Sequence, residues 1–158
     1  MAVQILKGDL LDALANKDVT HIGHVANCRG VMGAGLAKQI KERFYWAYRN
    51  YFDLWDDYSF DGKEGKLLGF AQQVGKLQEG ICIWSLHAQL TTGTHKRQLN
   101  YGALGECLFR MADETSSTDA IGFPYQMGSN LAGGDWNIVF EMIEHYFRDH
   151  EDVRIYKL

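Results

Sequence analysis

Cysteine is scarce in this sequence. Cys28, Cys82 and Cys107 are odd in number and far apart, which excludes a disulfide framework and gives no zinc-knuckle spacing. Long apolar runs are missing too: none approaches the ~20 residues that cross a bilayer. Basic charge is not in surplus. The net charge is −4 with histidine neutral, which argues against broad, charge-driven nucleic-acid binding. A compact nucleotide site built from main-chain amides stays compatible with that charge. The opening "MAVQILKGDLLDA" carries acidic residues where a signal peptide needs a basic stretch and an apolar core. The expectation is a cytoplasmic protein. No linker, repeat or low-complexity stretch interrupts the chain. Its 158 residues therefore read as one domain over 1–158, near the usual domain size of ~100–150 residues.

What is present alternates. "VQILKGD" reads as a strand and "LLDALAN" as a short helix; "VTHIGHVA", rich in β-formers, reads as a central strand. Leu36, Ile40 and Phe44 recur at helical spacing, and "YWAYRNYFDLW" continues that helix with an aromatic stripe of the core type. "GKLLGFAQQV" and "GICIWSLHA" form an antiparallel pair. The polar "QLTTGTHKRQ" leads into a helix bearing Leu99, Ala103, Cys107 and Met111. "DAIGFP" is a strand, Trp136 to Phe147 a helical face, and "DVRIYKL" a closing strand. Such alternation specifies an α/β protein, a three-layer α/β/α sandwich with a mixed, largely parallel central sheet.

Two glycine-rich loops follow strands in this scheme. "NCRGVMGAG" follows the second strand and "YQMGSNLAGG" follows "AIGFP". In parallel α/β sheets such loops gather at the carboxyl ends of the strands, where ligands bind. Glycines allow positive φ and remove Cβ, so successive N–H groups can point at one anion. The helices starting near Gly35 and Asp135 would add partial positive charge. Neither loop is a dinucleotide fingerprint or a P-loop, since the spacing and the Gly-Lys-Ser/Thr ending are missing. His21 and His24 make no metal pair, because residues three apart on a strand face opposite ways. No metal site or cofactor is expected.

"KGDLLD", "HVANCRGVMGAGLAKQIKERF", "IWSLHAQLTTG" and "GFPYQMGSNLAGGDWNIV" occur in an order that spans nearly the whole chain. On these segments the sequence resembles a macro domain, the ADP-ribose-binding module. The likeness is nearest to the branch holding ADP-ribose 1″-phosphate phosphatases and certain ADP-ribosyl-glutamate hydrolases. The resemblance implies roles. Asp9, with Leu10 beside it, matches the aspartate that accepts a hydrogen bond from the adenine amino group; on local sequence alone the helix N-cap is the better reading, and the resemblance reverses that order. Asn27 matches the asparagine on the distal ribose, where an amide offers donor and acceptor to a diol. Gly33, Ala34, Gly35 and Leu36 match positions near that ribose and its phosphate. Gly128, Ser129, Asn130, Leu131 and Ala132 match the loop that closes over the diphosphate.

His24 stands where phosphatase-like members also place a histidine, and an imidazole suits proton transfer near neutral pH. Asp135 reads either as a helix cap or as a group that orients water or a histidine. His87 is expected at the cleft edge, near the lysine of the glutamate-hydrolysing branch. His87 and Ala132 supply neither a Schiff-base amine nor a carboxylate, which disfavours the lysine route. The implied function is metal-independent hydrolysis of ADP-ribose 1″-phosphate to ADP-ribose and phosphate, with His24, Asn27 and Asp135 catalytic. The alternatives are a non-catalytic ADP-ribose-binding module and a lysine-independent hydrolase acting on modified macromolecules. The implied partner is a small molecule, with no membrane and no sequence-specific nucleic acid.

Overall fold

A computed structural model of the chain describes residues 3–76, 78–93 and 95–158. The first two residues of the expected domain, residue 77 of the "GKLQE" connection and residue 94 of the polar loop lie outside the described residues. The order is β1 (Val3–Lys7), α1 (Leu10–Ala15), β2 (His21–Asn27), α2 (Gly35–Arg43), α3 (Tyr45–Phe60), β3 (Ala71–Lys76), β4 (Ile81–Gln89), α4 (Tyr101–Glu114), β5 (Ala120–Pro124), α5 (Trp136–Tyr146) and β6 (Asp152–Lys157). One sheet runs β1-β6-β5-β2-β4-β3. Every neighbouring pair is parallel except β3 with β4.

Strand periodicity divides the core into two layers. Ile22 and Ala26 of β2 join a cluster with Leu11, Leu14, Ile40, Ala47 and Tyr51 from α1, α2 and α3. On the opposite face, Leu86 and Phe123 pack with Leu104, Leu108, Met111, Val139 and Ile143 from α4 and α5. Alternate side chains of a strand point to opposite faces, so β2 must be apolar toward both layers. Gly23 is required there, because a Cβ would lie 2.7 Å from the Phe123 ring. The mixed, mostly parallel α/β sandwich is therefore realised.

Three local expectations change. Leu99, expected on the helix with Ala103, precedes α4 and forms an antiparallel bridge with Gln89. The long helix after Gly35 is two helices, divided at Phe44, whose φ of −132° and ψ of 64° leave the helical region. Phe44 is buried against Trp46, edge to face at 6.1 Å, so its ring takes the core and the chain turns. The "GKLLGF" part of the expected strand is instead a 3-10 turn, Glu64–Leu67, that buries Leu67. Gly69, at φ +93°, then turns the chain into β3.

Candidate functional site

β2 and β4 lie side by side at the centre of the sheet, with β5 on the other flank of β2. The loops leaving their carboxyl ends frame a cleft of about 800 Å³. This is where ligands bind in an open parallel sheet. Its wall includes His24, Asn27, Gly33, Ala34, Gly35 and Leu36 from the β2 side. Gly128, Asn130, Leu131 and Ala132 come from the loop after β5.

Asn27 closes β2 and organises the first loop. Its Oδ1 accepts the Arg29 N–H at 2.9 Å and the Tyr51 hydroxyl at 2.7 Å, while its Nδ2 donates to the Val31 carbonyl at 2.9 Å. One Nδ2 proton is left for a ligand. Gly30, at φ +72°, carries the turn with a Cβ-excluding contact: a methyl group there would sit 2.6 Å from the Trp55 ring. Gly33 differs. The nearest atom to a Cβ at Gly33 is Val31 Cγ1 at 3.5 Å, an ordinary contact. The fold does not need glycine there, yet Gly33 lines the cleft.

α2 begins at this loop without a side-chain cap, because Ala34 occupies the N-cap. The first N–H groups of a helix have no intrahelical acceptor, so they carry partial positive charge into the space before them. Leu36 and Ala37 of that first turn line the cleft. The second expected helix end behaves otherwise. Asp135 is the N-cap of α5: its Oδ1 accepts the Asn137 N–H at 2.9 Å, and its own N–H donates to the Tyr101 hydroxyl at 2.8 Å. Its carboxylate offsets the positive end of α5, and Asp135 is not in the cleft wall.

His24 is 2% exposed. Its Nε2 lies 3.2 Å from Ser85 Oγ, and its Nδ1 is buried without a partner. Burial first, then the neighbouring His87, lowers its pKa from 6.5 to about 4. The ring is therefore neutral at physiological pH. Besides His24, Tyr125 is the only titratable side chain in the wall among the described residues. No lysine, arginine or carboxylate stands there, so an anionic ligand would be held by main-chain N–H groups.

His87, expected at the cleft edge, is instead fully buried. Its Nδ1 donates to the Phe70 carbonyl at 2.9 Å, its ring stacks on Tyr51 at 5.6 Å, and burial lowers its pKa. The parallel register places His87 beside Ala26, two residues short of the end of β4, where Tyr51 of α3 covers it. Asp9 is the N-cap of α1, accepting the Leu11 N–H at 2.8 Å and lying 3.6 Å from Arg43. Leu10 is buried in the core. Neither lines the cleft, nor does Ser129, whose hydroxyl donates to the Met127 carbonyl at 3.3 Å.

Gln89, Thr92, Tyr125 and Gln126 line the cleft and were not expected. The strand-end rule could have found Gln89 and Tyr125, which end β4 and follow β5. Gln126, at φ +59°, has no local sequence signal. Among the described residues, no three histidine, cysteine or acidic side chains gather to hold a metal ion. No helix among the described residues is long and apolar enough to cross a membrane.

No protein-family model matches the chain and no curated protein matches it. Solved structures do match over its whole length. A protein of unknown function from Bacteroides thetaiotaomicron superposes with a TM-score of 0.84 at 21% identity, covering 100% of this chain and 99% of that one. A macrodomain protein from Streptomyces coelicolor gives 0.79 at 24%, covering 99% of each chain. DarTG of Thermosipho africanus, solved in complex with ADP-ribose, gives 0.76 at 18%, over 99% of this chain and 41% of that one. The chain has the macrodomain fold.

Proposed function

We propose that residues 1–158 act as one domain that binds ADP-ribose in this cleft and hydrolyses ADP-ribose 1″-phosphate to ADP-ribose and phosphate. One observation carries the reading: the cleft offers an anion main-chain N–H groups and, among the described residues, no cationic side chain. Gly33 leaves room that the fold does not use, and the uncapped start of α2 supplies free N–H groups beside it. The Thermosipho structure, solved with ADP-ribose, supports the choice of ligand.

Phosphate monoesters hydrolyse so slowly that positioning and charge stabilisation must supply most of the rate. The main-chain N–H groups from Gly33 to Leu36 hold the terminal phosphate. The remaining Nδ2 proton of Asn27 fixes a hydroxyl of the distal ribose. His24, neutral because it is buried, takes a proton from the attacking water as the P–O bond forms, then returns it to the departing sugar oxygen. Asp135 holds the second loop by capping α5, away from the reacting atoms.

A second reading, binding without turnover, is favoured by one feature: His24 is the sole imidazole in the wall and is already depressed to about 4, which makes it a weak base. A ³¹P NMR time course with ADP-ribose 1″-phosphate separates the two. Growth of inorganic phosphate, abolished in His24→Ala with ADP-ribose affinity kept, is the expected result. Shifted diphosphate signals without phosphate release would leave a binding module. An unchanged spectrum would remove the ligand assignment itself.

A further inference from the structure

Asn27 and Gln89 close β2 and β4 and are partners in the parallel ladder between them. The register shifts between Ala26 and Asn27, so that Gln89 rather than Ala88 stands beside Asn27. A bulge of this kind re-aims a side chain at the end of a strand. Both residues line the cleft. Adjacent strands lie about 4.8 Å apart, so one sugar can touch both side chains.

Each side chain ends in an amide, with two donor protons and one acceptor oxygen. What it can offer a ligand depends on which of these the fold already uses. In Asn27 the oxygen is occupied. Its Oδ1 accepts the Tyr51 hydroxyl at 2.7 Å and the Arg29 N–H at 2.9 Å, with the Val31 N–H at 3.4 Å. Only an Nδ2 proton is left, so Asn27 meets a ligand as a donor. Gln89 is turned the other way. Its Nε2 donates to the Thr91 carbonyl at 2.9 Å, which holds the amide nitrogen against the loop. Among the described residues no N–H or O–H meets its Oε1, and that oxygen is not sealed in the core. A donor therefore stands beside an acceptor. Two neighbouring hydroxyls need both, since each has a proton to give and lone pairs to fill.

We propose that Gln89 is a specificity-determining residue of the cleft. Its Oε1 accepts the proton of one hydroxyl of the distal ribose, while Asn27 Nδ2 donates to the adjacent hydroxyl. The inference rests on ADP-ribose being the ligand. Gln89 and Asn27 read the sugar, and the main-chain N–H groups hold the phosphates. An analogue without the hydroxyl leaves the Gln89 oxygen unpaired under the ligand, and a site built for a hydroxyl rejects such an analogue.

Calorimetric titration of the full chain with ADP-ribose, its 2″-deoxy and 3″-deoxy analogues and ADP tests this. The parent should bind ADP-ribose about tenfold tighter than either deoxy analogue. Gln89→Met keeps the length of the side chain and removes the oxygen. It should weaken ADP-ribose by about tenfold, leave ADP unchanged, and erase the penalty for one of the two deoxy analogues. Gln89→Leu, a second shape without the oxygen, should behave alike. A loop merely loosened by losing the Thr91 bond would weaken all four ligands equally, and that result overturns the proposal. If the parent binds none of the four, the ligand reading falls and takes this inference with it. If ADP-ribose binds and both deoxy penalties survive in the variants, this inference alone falls.

Discussion

The two glycine loops look alike in sequence and differ in what their glycines do. In the loop after β5, glycine serves the fold. Gly128 and Gly133 sit at φ +71° and +73°, and a Cβ on Gly134 would run into Leu99 and the Gly128 carbonyl. The Gly134 N–H donates to that same carbonyl at 2.8 Å, and the Ala132 carbonyl accepts from Gln98 and Leu99. In the loop after β2, Gly30 is packed this tightly and Gly35 sits at φ +57°, whereas a Cβ on Gly33 would meet no protein atom closer than 3.5 Å. One loop is a packed wall, and the other holds space open. The helix ends repeat the contrast, since α5 is capped by Asp135 and α2 is left uncapped.

Substitutions can break that contrast. The largest effect is expected at Gly134→Val, where overpacking against Leu99 and a carbonyl should cost about 3 kcal/mol or more in chemical denaturation. A variant as stable as the parent would mean that the second loop is loose after all. Acid comes next. His24 has a pKa of about 4 in the folded protein against 6.5 when exposed, so between those values the unfolded chain binds a proton that the folded one refuses. Stability is full above pH 6.5 and falls as the pH drops toward 4, by about 3 kcal/mol from this group. His21, His87 and His150, also lowered by burial, act in the same direction. Denaturation of His24→Asn at pH 7 and pH 4.5 should show a smaller acid loss than the parent; equal losses would mean that His24 is not held neutral.

Gly33→Val should leave the melting temperature within the equivalent of about 0.5 kcal/mol yet lower ADP-ribose affinity by about tenfold or more, read by calorimetry. Lost stability with affinity kept would reverse the assignment of the two loops. The smallest change is expected for Asp135→Ala. Loss of a helix cap costs about 1 kcal/mol, and turnover should fall little. A collapse of turnover at unchanged stability would instead place Asp135 beside the substrate.

Much of the fold was legible because it rests on short-range pattern. Leu36 with Ile40, and Val139 with Ile143, mark helices by spacing alone, and "VTHIGHVA" marks a strand. The break at Phe44 was not legible, because both sides of it favour helix and only the core decides where the ring goes. For the site, the glycine loops pointed to the edge of the sheet where the cleft lies. His87 misled because its neighbours locate a strand end without saying which face α3 covers. Asp9 and Asp135 each had two readings in sequence, and both are engaged as caps.

The sequence by itself determined the alternation of strands and helices, the two glycine loops that end strands, and the residues fit to cap helices. These depend on periodicity and on groups within a few residues of one another. Only the tertiary structure decided which glycines are packed and which are open, that His24 is buried and neutral, and that His87 is sealed from the cleft. Those properties depend on atoms brought from far along the chain: Trp55 against Gly30, Leu99 against Gly134 and Ser85 against His24. Excluded volume and desolvation act between neighbours in space, and no local pattern names those neighbours.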